Sequence, residues 1–427
     1  MSDLLEQLIR VSTSPYHTAQ AARQYLISND FIDLSLEEPW QLENGQGYVL
    51  TPYDSMLVAF TVGDCSKLSK GIRLAAAHGD FPGFRIKPQP ELKKDGYVRL
   101  NVEGYGGVNL MSWLDRPLSI AGRVALRSDD VWHPAMRLID FHRPMLTIPN
   151  IAIHMERTMN QGLDLKKQSH MLPLLALDQQ ELSEHCFLEL LAEELKVDVN
   201  DILDYELNVY NAEDASYLGL QEEMLQAPRL DNLTSCTAIL EGLTESLLTK
   251  ADGLKIGVIF DHEEIGSGTK QGAGSELLQM ILGRIVTALG LSEEAFSCAL
   301  ASSTFLSVDV AHAYHPAYDK HYDPKHHCIP SKGFCIKQAA SQTYATDSEA
   351  ISIVQQICDL SGIPYQKYVN HADERGGSTL GSIASTFLPV RTVDIGVPIL
   401  AMHSARETMG ASDQDALTDF IKLYYTL

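Results

Sequence analysis

The chain has 427 residues, 45% of them hydrophobic and 21% charged, enough for a sizeable core in two domains, or in one domain with an insertion. Its formal net charge of −23 excludes the basic face that nucleic-acid binding needs, and no run of 18 apolar residues is present to span a membrane. Seven cysteines, scattered from Cys65 to Cys358, offer no disulfide framework, and residues 1–10 lack a basic start followed by an apolar stretch, so the expected location is the reducing cytoplasm.

Leu4, Leu5, Leu8 and Ile9 have helical spacing, and residues 17–27 read as a second helix. Residues 72–77 form a continuous apolar run, which suits a strand buried on both faces. The texture changes at about Arg85-Ile86-Lys87-Pro88. Beyond it, residues 97–104 and 119–127 alternate as antiparallel strands do. Pro144, Pro149 and Pro173 then punctuate the chain, and residues 181–195 predict an amphipathic helix. After Pro228-Arg229 an α/β texture resumes, with a helix beginning over 231–240 and a strand over 254–260. Ser275 is expected to cap a helix over 276–289 that stops at Gly290. Strands over 305–308, 391–395 and 399–402 and a helix over 413–425 complete the set. The economical architecture is one α/β domain made of residues 1–87 and 226–427. Its sheet is mixed and mostly parallel, sandwiched by helices, and residues 88–225 form a β-rich domain inserted between its strands.

The chemistry concentrates at strand ends. Asp261-His262-Glu263-Glu264-Ile265-Gly266-Ser267 follows the 254–260 run directly. His78 and Asp80 follow 72–77, Asp309 follows 305–308, His403 follows 399–402, and Asp231 stands at a helix start. A hydrolytic centre with two zinc ions needs about three protein ligands per ion, one carboxylate being shared, with the ions roughly 3.5–4 Å apart. His78, Asp231, Glu264, Asp309 and His403 make such a set. In an extended backbone Glu263 and Glu264 point opposite ways, so one is free to bind metal while the other faces the reacting water as general base. Asp80, two residues beyond His78, is placed to orient its ring through the second imidazole nitrogen. Taken singly, a His-x-Asp is usually structural and paired glutamates usually mark a solvated face; their recurrence at several strand ends points to a metal. The same donors accept Mn²⁺ or Co²⁺ as well as Zn²⁺. His321, His326, His327 and Cys328 lie in a polar loop with no closed pair of ligand motifs, and are not read as a second centre. A dizinc deacylase or amidohydrolase and a metal-stabilised assembly protein without turnover are the alternative readings.

At these residues the chain resembles the aspartyl-aminopeptidase family of co-catalytic zinc metallopeptidases. The likeness runs nearly end to end: Ser14-Pro15-Tyr16-His17, Ala77-His78-Gly79-Asp80-Phe81-Pro82, Ile148-Pro149-Asn150-Ile151-Ala152-Ile153-His154, Arg229-Leu230-Asp231-Asn232-Leu233, the 261–267 motif, Ser307-Val308-Asp309-Val310-Ala311-His312-Ala313-Tyr314-His315-Pro316, Tyr344-Ala345-Thr346-Asp347, Gly377-Ser378-Thr379-Leu380-Gly381 and Ala401-Met402-His403-Ser404-Ala405-Arg406-Glu407. The resemblance implies a zinc-exopeptidase fold and an aminopeptidase preferring acidic first residues of peptides. It gives His78 and Asp309 to one zinc and Glu264 and His403 to the other, with Asp231 bridging, Glu263 as general base and Asp80 supporting His78. It also gives His154, His312, Lys337 and Tyr344 to the substrate, and makes the insertion a dimerisation domain whose dimers build a tetrahedral dodecamer, with a histidine of the insertion reaching the neighbour's site. By residue type alone, the two histidines are ordinary loop or packing histidines and Lys337 is an exposed lysine. Two departures bear on the pocket. His371-Ala372-Asp373-Glu374-Arg375-Gly376 replaces a more usual Arg-Asn-Asp-containing run, and Gly79 stands where a hydroxyl residue is common.

Overall fold

The computed structural model describes residues 3–179, 181–374 and 376–427, so Arg375 of the departing run lies outside the described residues. Two compact units result. The first comprises the chain through Asp80, Ala215–Met402 and Glu407–Leu427; the second comprises Phe81–Asp214 and His403–Arg406.

A nine-stranded sheet forms the centre of the first unit. Its order is Phe31–Asp33, Gln46–Leu50, Leu57–Val62, Leu254–Phe260, Arg73–His78, Thr304–Val308, Arg391–Gly396, Phe334–Gln338 and Tyr365–Val369. The middle of this sheet is parallel: Arg73–His78 runs parallel to both neighbours, and Thr304–Val308 parallel to Arg391–Gly396. Side-chain alternation sorts these apolar strands onto two faces. Leu57, Ala59, Ala75 and Ala77 pack with helices Asp3–Val11, Pro15–Ser28, Leu230–Leu248, Ser348–Ser361 and Asp413–Thr426. Val58, Phe60, Leu74 and Ala76 pack with Leu277–Ala288, Glu293–Ala301 and Leu380–Phe387. Helices therefore cover both faces, which is why the strands read as unbroken apolar runs. A separate five-stranded sheet joins Ser216–Leu218, Met224–Ala227, Glu407–Gly410, Pro398–Leu400 and Ala311–His312.

The second unit is an antiparallel six-stranded sheet, in the order Ala135–Asp140, Leu118–Leu126, Ile202–Asn211, Gly83–Lys94, Tyr97–Tyr105 and Leu174–Leu177. Phe84, Val102, Ile120, Leu207 and, from helix Cys186–Leu195, Phe187 fill its core. This unit begins earlier than residue 88. Gly83–Lys94 is a single strand that crosses Pro88 through a register shift between Ile86 and Glu91, since proline cannot donate to the ladder. It also ends before 225, because Ser216–Leu218 pairs with Met224–Ala227, which pairs with Glu407–Gly410 in the first unit.

Three expected elements are shorter than their patterns. The helix over 181–195 starts only at Cys186: Leu182 N–H donates to Asp178 Oδ1 at 2.7 Å and His185 N–H to Ser183 Oγ at 3.0 Å, side-chain turns that compete with helix. The strand over 399–402 is Pro398–Leu400, ended by positive φ at Ala401 (59°) and His403 (65°), and it belongs to the small sheet rather than the main one. Ser275 accepts from Leu277 N–H at 3.3 Å, so the helix begins one residue later than expected, and the chain turns at Gly290 with φ 67°. Among the described residues, no helix is long and apolar enough to cross a membrane.

Candidate metal centre

Three adjacent parallel strands, Leu254–Phe260, Arg73–His78 and Thr304–Val308, end on the same edge of the sheet. His78 is the last residue of the middle strand and pairs with Phe260, so the 261–264 segment and Asp309 leave the sheet on either side of it. Its ring is buried. Nδ1 donates to the main-chain oxygen of Asp80 at 3.0 Å, and a carbonyl acceptor requires the proton to sit there. Nε2 therefore faces Asp231 Oδ1 at 3.3 Å and Asp309 Oδ1 at 3.5 Å. A bare nitrogen against two carboxylates demands a proton or a cation between them. One donor atom from each of His78, Asp231 and Asp309 lies within 4.8 Å of the other two, and the same holds for His78, Glu263 and Glu264. Imidazole and carboxylate donors at this spacing fit a zinc-type divalent ion.

Asp80 does more than support the ring. Its carboxylate stands 3.5 Å from His78 Nδ1, but its shorter contacts are with the next segment: Oδ1 accepts Glu263 N–H and Oδ2 accepts Glu264 N–H, both at 3.1 Å. Glu263 and Glu264 are not in extended backbone. His262 adopts φ 62° and Glu263–Ile265 forms a short 3₁₀ turn, so simple alternation does not separate the two side chains. Burial raises both carboxyl pKa values and His78 opposes the rise in each; Asp231 adds most to Glu264 after burial, and Asp309 adds to Glu263. Burial alone would lower the His78 pKa, but Asp231, Asp309 and Asp80 outweigh it and hold the imidazole well above its ordinary value.

Helix Leu230–Leu248 brings Asp231 to this cluster through a non-helical first turn. Asp231 N–H donates to Glu407 Oε2 at 2.9 Å, and Asn232 Nδ2 donates to Val308 O at 2.9 Å, fixing that turn against the strand before Asp309. Glu407 is buried, and sequence reasoning gave it no role. Lys337 is not an exposed lysine. It is 1% exposed; its ammonium donates to Val310 O at 3.2 Å, stands 3.9 Å from Asp309 Oδ2 and lies 5.1 Å from the Tyr344 ring centroid. Burial lowers its pKa, yet Asp309 and Asp394 raise it further, so the group stays charged. His312 is exposed, its ring 6.1 Å from that of Tyr368, which in turn lies 6.3 Å from Tyr344. A side chain at Gly79 would meet Ile259 at 3.0 Å and Thr18 at 3.1 Å, both buried in the packed interior.

His403 and His154 belong to the second unit. His403 Nδ1 donates to Gly107 O at 3.1 Å, a carbonyl that fixes the proton on Nδ1. Gly107 permits this approach, since a Cβ there would lie 2.9 Å from Nδ1. His154 is exposed on an irregular loop beyond the buried Ile148. The 321–328 histidines point to different partners: His321 to Glu374, His326 to Asp323, and His327 onto the Tyr314 ring.

A family model described as Aminopeptidase I zinc metalloprotease (M18) matches residues 8–425. The probable M18 family aminopeptidase 2 of Clostridium novyi (strain NT) is 41% identical over 428 residues, covering 100% of this chain and 98% of that relative. A chain of the cryo-EM structure of the Ape4 and Nbr1 complex superposes with a TM-score of 0.94 at 34% identity, over 99% of this chain and 85% of that one. The mApe1 dodecamer of S. cerevisiae shares the fold at 22% identity, with a TM-score of 0.83 over 99% of this chain and 95% of that one. On a full-length match of this kind, the chain belongs to the M18 family: it is a zinc metalloprotease acting as an aminopeptidase.

Proposed function

We propose that this aminopeptidase removes acidic first residues, Asp or Glu, from peptides, using two zinc ions per subunit. His78 and Asp309 serve one ion, Glu264 and His403 the other, and Asp231 both; Mn²⁺ or Co²⁺ suit the same donors. The metal part of the reading rests on His78, whose Nδ1 is committed to Asp80 O while Nε2 faces Asp231 and Asp309, and the acidic preference on the buried ammonium of Lys337. When bound, such ions polarise the first peptide carbonyl and lower the pKa of an attacking water. Glu263 accepts the proton of that water on its carboxylate and delivers it to the leaving amine nitrogen. Asp80 keeps Glu263 in place through its backbone amide. Lys337 supplies the positive charge for an acidic first side chain, with Tyr344 beside it, and His312 is also assigned to the substrate. In a protein of net charge −23 a local cation is needed to offset long-range repulsion of such a substrate.

Catalysis is assigned to the domain built from both ends of the chain and dimerisation to the insertion, whose compact unit runs over Phe81–Asp214 rather than 88–225. His154 of one copy reaches the active site of another, and dimers assemble into a tetrahedral dodecamer, as the S. cerevisiae relative forms a dodecamer. A cytoplasmic location is supported by all seven cysteines being free thiols.

The test is a kcat/KM series over Asp-, Glu-, Ala- and Leu-aminoacyl substrates with zinc content measured on the same sample. Acidic substrates should lead by at least tenfold. A preference for Ala or Leu refutes acidic specificity while leaving the peptidase chemistry intact.

A further inference from the structure

Asp394 is a buried carboxylate that the chemistry above does not use. It lies inside Arg391–Gly396, is 0% exposed, and stands between two strands that carry site residues. Its register partners are Ser307, two residues before Asp309, and Lys337. Paired residues share a face, so Asp394 and Lys337 project to the same side of the sheet. A carboxylate in this position is tolerated only if its oxygens are satisfied. Ser307 Oγ donates to Oδ1 at 2.6 Å, Thr379 Oγ1 donates to the same oxygen, and Ala345 N–H donates to Oδ2 at 2.7 Å. The backbone adds another link, Asp394 N–H donating to Thr346 Oγ1 at 2.9 Å.

These bonds reach the substrate-facing groups. Residues 345 and 346 both hang from Asp394, and the preceding Tyr344 lays its ring 5.1 Å from Lys337 Nζ. Thr379 N–H donates to Thr343 O at 3.3 Å, tying the 377–381 loop to the same turn. Gly381 N–H donates to Ser307 Oγ at 3.1 Å, an approach that a side chain would block, since its Cβ would stand 2.5 Å from Ser307 Cβ. Lys337 thus has two anions on its face, Asp309 and Asp394, and the turn beneath it is anchored to the second. Burial pushes the Asp394 carboxyl up; the Lys337 charge and the two hydroxyls oppose that rise.

We propose that Asp394 is a positioning residue: by anchoring the Tyr344 turn and balancing Asp309 across Lys337, it sets how the enzyme discriminates the first residue of its substrate. The inference rests on the reading that Lys337 meets that side chain. Without the Asp394 charge the ammonium is drawn toward Asp309, away from the substrate, and the Tyr344 turn loses an anchor.

The test is steady-state kinetics on the assembled, zinc-loaded enzyme with Asp-, Glu-, Ala- and Leu-aminoacyl substrates. The variants are Asp394→Asn, Lys337→Met and the double variant, each checked for zinc content and assembly. Asp394→Asn should lower kcat/KM for acidic relative to neutral substrates by about ten- to a hundredfold, the scale of hydrogen bonds to a charged group, through KM more than kcat. It should add no further loss of selectivity when Lys337 is already Met, the signature of two residues acting through one contact. Thr379→Val keeps the charge and removes one donor, so it should shift the same ratio by a smaller factor, and it decides the matter if Asp394→Asn does not fold. If Lys337→Met alters selectivity while Asp394→Asn and Thr379→Val leave it at the wild-type value, the proposal is overturned. So it is if the Asp394→Asn effect persists undiminished beside Lys337→Met. A gain on acidic substrates overturns it too, because Asp394 would then be a competing charge. If Lys337→Met itself leaves selectivity unchanged, the reading of Lys337 falls first and this proposal falls with it.

Discussion

Replacing Asp80 by asparagine changes one oxygen to an amide nitrogen at the point where the segments of His78 and of Glu263-Glu264 meet. Asp80 Oδ1 and Oδ2 each accept one backbone N–H, from Glu263 and Glu264, at 3.1 Å. Asparagine can accept only one of these; its NH₂ group then opposes the other N–H, donor against donor. An amide left unsatisfied in a buried site costs about 1–3 kcal/mol, and the loss of a charged acceptor for the remaining one adds to it. We take about 3 kcal/mol as the total, which is about 10² in rate if it falls wholly on the geometry of the 263–264 turn. The main-chain oxygen that fixes His78 is untouched, so the His78 tautomer should survive. The assay is kcat/KM together with zinc per subunit and thermal unfolding. Asp80→Asn should lose about 10² in kcat/KM with His78-side zinc retained. Activity within twofold of wild type would refute the idea that this carboxylate holds the turn.

Chelation should abolish activity and Zn²⁺ restore it; full turnover by verified metal-free protein would remove the metal from the reaction. In the metal-free state His78, Glu263 and Glu264 hold their protons above their ordinary ranges, so zinc binding near neutral pH should release protons and weaken as pH falls. Calorimetry in buffers of different ionisation enthalpy measures that release, and its absence would contradict the donor assignment. Glu263→Gln should keep both ions and lose about 10²–10⁴ in kcat, whereas Glu264→Gln should lower zinc occupancy; the reverse pattern would swap the two neighbours. Mixing inactive His154→Ala subunits with inactive Glu263→Gln subunits should restore activity, because a mixed dimer then holds one centre free of both lesions. No restoration from dimeric, exchanging subunits would place His154 in its own chain's site.

The sequence made the central parallel strands and the terminal helices legible because burial on both faces leaves an unbroken apolar signature. Arg73–His78 and Leu254–Phe260 are the clearest cases. The extent of the second unit was not legible at Pro88, because a proline inside Gly83–Lys94 reads as a boundary when the strand in fact crosses it through a register shift. The edge strand Tyr365–Val369 depends on its pairing with Phe334–Gln338, on the far side of helix Ser348–Ser361 in the chain, and its own pattern is too short to declare it. Lys337 reads as a surface lysine from its type; its surroundings are Asp309 and Val310, from a separate segment, and Tyr344 beyond the end of its own strand. Asp394 did carry a signal, a single carboxylate in the apolar run of Arg391–Gly396, but its donors come from three separate segments.

The donors converge because of how the strands are paired. Had Arg73–His78 run antiparallel to its neighbours, His78 would leave one edge of the sheet while the 261–264 segment and Asp309 left the other, some five residues or about 17 Å away. Parallel pairing puts all three carboxyl ends on one edge, the edge where ligands bind in open α/β sheets. His78 opposite Phe260 and Ala76 opposite Ser307 place the donors within two residues of one level. Asp80 then closes the gap between two of those ends with a pair of hydrogen bonds. Parallel pairing also carries Asp394 alongside Ser307, and an antiparallel strand then sets Lys337 alongside Asp394, one strand further out at each step. The strands of His78, Asp309, Asp394 and Lys337 are therefore successive across one sheet, and a substitution that shifts any of them by a residue should disturb zinc occupancy and substrate selectivity together.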